Sequence, residues 1–140
     1  IGEKKVGLRV SPFSYADVAE KPIELRQLYL ELVSHLNSKN LAYLHLSHMG
    51  DPYTEKFTLW KEIRELYNGV LMLCGGFTME KAEEAIQKRE ADLISFGRDF
   101  IANPDLVDRF KNNWKLMERD KEFWYTNSSR GYTDYDKYQQ

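Results

Sequence analysis

Residues 70–78, Val70-Leu71-Met72-Leu73-Cys74-Gly75-Gly76-Phe77-Thr78, decide how this chain is read. Five apolar residues make a strand too short to be a buried helix. Two glycines then free the backbone to turn tightly, and Thr78 is a good N-cap for the helix that follows, with Met79, Ala82, Ala85 and Ile86 on one side. Strand, glycine turn and helix in immediate succession are the unit of a parallel α/β sheet.

The same unit repeats outward in both directions. Val6 to Val10, Leu41 to Leu46 and Leu93 to Phe96 are further short apolar runs. Between them Ile23, Leu25, Leu28, Leu32, Val33 and Leu36 recur at helical spacing behind Pro22, with Asn40 as a stop. A second helix is expected from Thr54 to Tyr67, carrying Phe57, Trp60, Ile63 and Leu66 and closed by Asn68-Gly69. A fourth is expected from Pro104 to Asn112, capped by Asn103, with Leu106, Val107 and Phe110 facing inward. From Trp114 onward the chain is aromatic and polar without clean periodicity. The order is therefore β-α-β-α-β-α-β-α and a tail over 114–140, with strands expected to be buried on both faces. An open doubly wound sheet of flavodoxin-like kind and one half of a (β/α)8 barrel both fit this order.

Composition narrows the class. The chain has 140 residues, 42% hydrophobic and 14% aromatic, which is ordinary for one globular domain. Twenty Lys and Arg against 22 Asp and Glu leave a charge of −2, so no nucleic-acid partner is expected. A single cysteine, Cys74, excludes an internal disulfide and a thiolate metal pair, and on a strand it reads as a small buried hydrophobe. His45 and His48 have no third ligand at metal spacing, so no metal is expected, and His45 reads as a satisfied core residue. The longest apolar runs fall far short of a membrane span of about 20 residues. No basic-then-apolar leader is evident, so a cytoplasmic protein is expected. Ile1 is not an initiator methionine, and a strand only a few residues later suggests a cut inside a larger protein.

Three features could carry chemistry. Gly75-Gly76-Phe77-Thr78 opens a helix, where backbone N–H groups favour an anion, although such turns need glycine for geometry alone. Gly97-Arg98 does the same after the fourth strand; Arg98 reads as a phosphate ligand or as a surface partner of Asp99 or Asp105. Arg9, inside the first strand, needs a carboxylate, carbonyls or an electron-rich ligand, because a guanidinium is not buried unpaired.

Several segments together resemble the old yellow enzyme family of flavin-dependent ene-reductases. They are Val6-Gly7-Leu8-Arg9-Val10-Ser11-Pro12, Leu41-Ala42-Tyr43-Leu44-His45-Leu46, Cys74-Gly75-Gly76-Phe77, and the run from Ala91-Asp92 through Phe96-Gly97-Arg98-Asp99-Phe100-Ile101-Ala102-Asn103-Pro104-Asp105-Leu106. Trp124-Tyr125 and Gly131-Tyr132-Thr133-Asp134-Tyr135 continue the match. Most specific are the Gly97-to-Leu106 string and the Gly-Tyr-Thr-Asp-Tyr tail.

The resemblance implies an α/β chain forming the C-terminal half of a (β/α)8 TIM barrel, four βα units over residues 1–140, completed by dimerisation or by a separate N-terminal half. It implies an FMN enzyme that uses NADPH or NADH to reduce the activated C=C of a small α,β-unsaturated carbonyl. Arg9 would lie at the pyrimidine edge of the flavin. Gly75, Gly76, Gly97 and Arg98 would hold the FMN phosphate, with Phe77 and Phe96 beside the cofactor. Trp124 and Tyr125 would border the substrate. Gly76 often matches an asparagine in the family, and Ser47-His48-Met49-Gly50-Asp51 departs from its usual acidic residue and arginine. The substrate-anchoring pair and the proton donor are implied to come from the first half of the barrel, so no catalytic residue is assigned to this chain. A catalytically incomplete half-barrel that binds flavin or phosphate, or assembles with itself, is the alternative.

Overall fold

In the computed structural model, which describes residues 1–12, 22–48 and 58–139, the chain forms two compact units, 1–95 and 96–140. The start of the expected second helix, with Thr54 and Phe57, and the segment Met49-Gly50-Asp51 lie outside the described residues.

The first unit is a four-stranded parallel sheet: β1 (Gly7–Val10), β2 (Tyr43–Ser47), β3 (Leu71–Cys74) and β4 (Leu93–Ser95), side by side in chain order. Helices α1 (Pro22–Leu36), α2 (Leu59–Leu66) and α3 (Met79–Gln87) form the connections. Doubly wound sheets reverse strand order at a switch point. Sequential order through all four strands is the barrel pattern instead.

Register sorts the side chains. Leu8, Leu44 and Leu71 share one row, and Val10, Leu46, Leu73 and Ile94 the next, all on one face. Leu44, Leu46, Leu71 and Leu73 are buried there, as are Val33 of α1, Trp60 and Ile63 of α2, and Ala82 and Ala85 of α3. The opposite face carries Arg9, His45, Met72 and Leu93 in one row and Ser47, Cys74 and Ser95 in another. Apart from Ser47, these residues are half-buried or exposed. The strands are thus not buried on both faces as the sequence suggests, because among the described residues of this unit the helices leave the second face half-buried or exposed.

Polar side chains set the ends of the elements. Asp92 precedes β4, and its Oδ2 accepts the N–H of Leu71 at 2.8 Å, while its own N–H donates to the Leu71 carbonyl at 2.9 Å. Arg64 ties the same carboxylate to α2 at 2.8 Å. Asn37 closes α1 earlier than the expected stop at Asn40: its amide donates to the Leu66 carbonyl at 2.5 Å and its oxygen accepts from Asn68 N–H at 2.9 Å. Ile86, expected on the apolar side of α3, is 37% exposed.

The second unit contains α4 (Arg98–Ala102), α5 (Leu106–Asn112) and a 3-10 turn at Lys121–Phe123. Asn103 does not cap α5, as the sequence predicts; it ends α4, and Asp105 stands at the N-cap. Its side chain is 1% exposed because it bridges elsewhere, donating to the Asp99 carbonyl at 2.9 Å and accepting from Met117 N–H at 2.7 Å. Pro104 consequently falls in the turn between helices. Leu106 is buried as expected, but Val107, about 100° further round the helix, is 52% exposed. Arg109 is 3% exposed and satisfied by Asp105 Oδ1 at 2.6 Å and the Lys115 carbonyl at 2.6 Å. Trp114 stacks on Tyr138 with ring centroids 4.2 Å apart, which ties the end of the tail to the helix exit.

Candidate functional site

The sequence-selected residues divide between the two units.

In the first unit, Arg9 lies on the uncovered face and is exposed. Its Nη2 donates to Ser47 Oγ at 2.8 Å. Ser47 stands one row beyond Arg9's register partner His45, toward the carboxyl ends of the strands, so the guanidinium leans that way. That is the end where parallel α/β sheets bind ligands. His45 is not the satisfied core residue expected: among the described residues its buried Nε2 has no hydrogen-bond partner. Burial holds its pKa below the ordinary histidine value, and the nearby Arg9 charge lowers it further. The imidazole is therefore kept neutral beside a cation. Burial also lowers His48. Cys74 is half-buried on the same face rather than enclosed.

β3 and β4 end level, since Cys74 pairs with Ser95. At the exit of β3, Gly75 has φ 148° and Gly76 φ 42°, a conformation L-residues rarely adopt. Two glycines are thus needed there, and they keep the turn free of side chains. Thr78 caps α3, accepting the Lys81 N–H at 3.3 Å. Phe77 is buried.

In the second unit, Gly97 sits ahead of α4 at φ −101°, and a Cβ added to it would meet nothing within 4 Å. Neither backbone nor packing requires glycine there. Arg98 is exposed. Both carboxylates considered as its surface partners face other arginines: Asp99 meets Arg119 at 3.6 Å, and Asp105 meets Arg109 at 2.6 Å. The Phe96 ring packs edge-on against Phe110 at 5.1 Å.

The tail folds back on itself. Tyr135 Oη accepts the Asp120 N–H at 3.0 Å, and Tyr132 Oη accepts the Tyr125 N–H at 2.6 Å. The Gly131 N–H donates to Asp134 Oδ1 at 2.8 Å. This held geometry puts Tyr125 at φ 60° with its side chain 93% exposed. Trp124 lies under the Arg119 guanidinium, 5.9 Å from its carbon, and its buried Nε1 has no partner among the described residues. Sequence reasoning singled out the aromatic motif without assigning the two tyrosine hydroxyls, and it missed Ser47 as the partner of Arg9.

Residues 1–116 match the NADH:flavin oxidoreductase / NADH oxidase family. The chain belongs to this family. The family's 12-oxophytodienoate reductase 7 of Oryza sativa subsp. japonica is 36% identical, over 96% of this chain and 39% of that protein. A probable flavin mononucleotide-dependent alkene reductase of Leishmania infantum is 35% identical, over 96% of this chain and 36% of its own length. The solved structure of the old yellow enzyme homologue of Zymomonas mobilis superposes with a TM-score of 0.81 at 32% identity, covering 93% of this chain and 38% of that one. The chain therefore spans well under half the length of these relatives. Its four βα units are those of half a (β/α)8 barrel, in agreement with the sequential strand order.

Proposed function

We propose that this chain supplies the phosphate grip and one flavin edge of an FMN-dependent NAD(P)H oxidoreductase that reduces the activated C=C of α,β-unsaturated carbonyls. The observation that carries the reading is the Gly75-Gly76 turn, with two successive positive-φ glycines at the carboxyl end of the sheet. Such a turn exposes backbone N–H groups to an anion without side-chain obstruction.

The residues present fit FMN. Gly97 has open space where a side chain could stand, as close approach of a phosphate requires. Arg98 has a charge that the neighbouring carboxylates do not take up, because these face Arg119 and Arg109. In this reading Gly75, Gly76, Gly97 and Arg98 bind the phosphate, Phe77 and Phe96 border the cofactor, and Trp124 and Tyr125 border the substrate. Arg9 faces the pyrimidine edge and stabilises negative charge there. Bound FMN supplies hydride transfer, from a nicotinamide to the β-carbon of the alkene, with a proton completing the α-carbon. His45, kept neutral, adds no second cation beside Arg9. No proton donor is assigned to this chain.

The test is colour and its loss. Purified chain is expected to take up yellow FMN, and Arg98→Ala to release it; a chain that ignores added FMN contradicts the reading. A second reading, self-assembly, draws on the uncovered face and the two outer strands, β1 and β4, which each have one neighbour in the sheet. A concentration-independent monomer by light scattering opposes it.

A further inference from the structure

We propose that Ser47 is the positioning residue for Arg9, fixing the guanidinium in its flavin-facing orientation before any cofactor arrives; this rests on the reading of Arg9 given above. Arg9 has four rotatable side-chain bonds and an exposed position, so its head would sample many directions if left alone. The strand pairing puts His45 directly across from it, yet the contact it makes is with the Ser47 hydroxyl, 2.8 Å away and one row nearer the carboxyl end of the sheet. Ser47 is 6% exposed and sits on β2, paired on both sides by β1 and β3, so its hydroxyl is a fixed point rather than a mobile one. A hydroxyl can accept from a guanidinium without neutralising it, as a carboxylate would. Arg9 therefore keeps its full positive charge while losing its freedom. Pre-ordering of this kind moves the conformational cost from binding to folding. It favours the reduced flavin over the oxidised one, because only the former carries the negative charge that the oriented cation meets.

The contact predicts a division among variants that a merely structural serine would not give. In nitrogen-15 spectra of the flavin-free chain, rotation of the Arg9 amino groups is slowed in the wild type and in Ser47→Thr, which keeps the hydroxyl, and fast in Ser47→Ala. With FMN as the probe, the ratio of reduced to oxidised affinity falls about threefold to tenfold in Ser47→Ala, stays within about twofold in Ser47→Thr, and falls further in Arg9→Gln. Ser47→Cys, nearly isosteric and a weak acceptor, behaves as Ser47→Ala and serves if the latter does not fold. Equal guanidinium rotation in wild type and Ser47→Ala overturns the proposal. So does an unchanged affinity ratio in Ser47→Ala when Arg9→Gln shifts it; in that outcome the flavin reading of Arg9 stands. An unchanged ratio in Arg9→Gln, or a chain that takes up no FMN, removes the flavin reading itself and this inference with it.

Discussion

The phenol oxygen of Tyr132 accepts the backbone N–H of Tyr125 at 2.6 Å, across a tail that turns back on itself, and holds Tyr125 in the left-handed region at φ 60°. A bulky residue in that region costs about 1–2 kcal/mol. Tyr125→Gly should therefore stabilise the chain by about 1 kcal/mol, measured by urea unfolding. Tyr132→Phe should cost about 1 kcal/mol and speed amide exchange at Tyr125. A destabilised Tyr125→Gly would show that the tail does not impose this strain.

The glycines of the two turns should separate. Gly76→Ala is expected to cost about 1 kcal/mol or more, and Gly75→Ala at least as much, because both have positive φ. Gly97→Ala should change stability by less than about 0.5 kcal/mol, since its backbone is ordinary and its surroundings open. On the phosphate reading it still weakens FMN binding. Chemical denaturation and a flavin titration on the same three variants check this.

His45 should titrate below the ordinary histidine value, and Arg9→Gln should move it upward without restoring it fully, because burial is the larger cause. Its folded pKa is depressed, so the unfolded chain binds the proton more readily. The stability linked to His45 is therefore complete above the unfolded value of about 6.5 and falls as pH drops below it. Proton NMR of the imidazole, with unfolding at several pH values, reads both effects, and His45→Gln should remove the second.

The Asp105 carboxyl is held below its ordinary value, first through its hydrogen bond with Arg109 and then through the Tyr138 N–H at 2.7 Å. Its stabilising contribution is present above the unfolded carboxyl value of about 3.9 and is lost as pH falls through the lower folded value. Asp105→Asn should lower the Tm at pH 7 and flatten its dependence on acid. An acid profile unchanged by the substitution would place the sensitivity elsewhere.

The strand–turn–helix units were legible because each carries its own punctuation. Val70 to Thr78 gives the strand by length and hydrophobicity, the turn by two glycines and the helix by its cap, all local signals. The partner of Arg9 was not legible: Ser47 is 38 residues away in sequence, and only parallel register brings the two together. Asn103-Pro104 misled for a related reason. The pair has ideal start-of-helix chemistry, but Asn103 is drawn into a bridge to Met117, 14 residues on, and the helix starts later. In the tail the aromatic motif was visible but not its work, since hydroxyls that accept backbone N–H groups leave no periodic trace.

The most direct test of the phosphate grip is to titrate the chain with FMN and with riboflavin, which lacks the phosphate. We predict that FMN binds at least about tenfold more tightly, and that Arg98→Ala and Gly97→Ala each shrink that advantage while leaving riboflavin affinity unchanged. Equal affinity for the two flavins, or an FMN preference indifferent to both substitutions, would contradict the account.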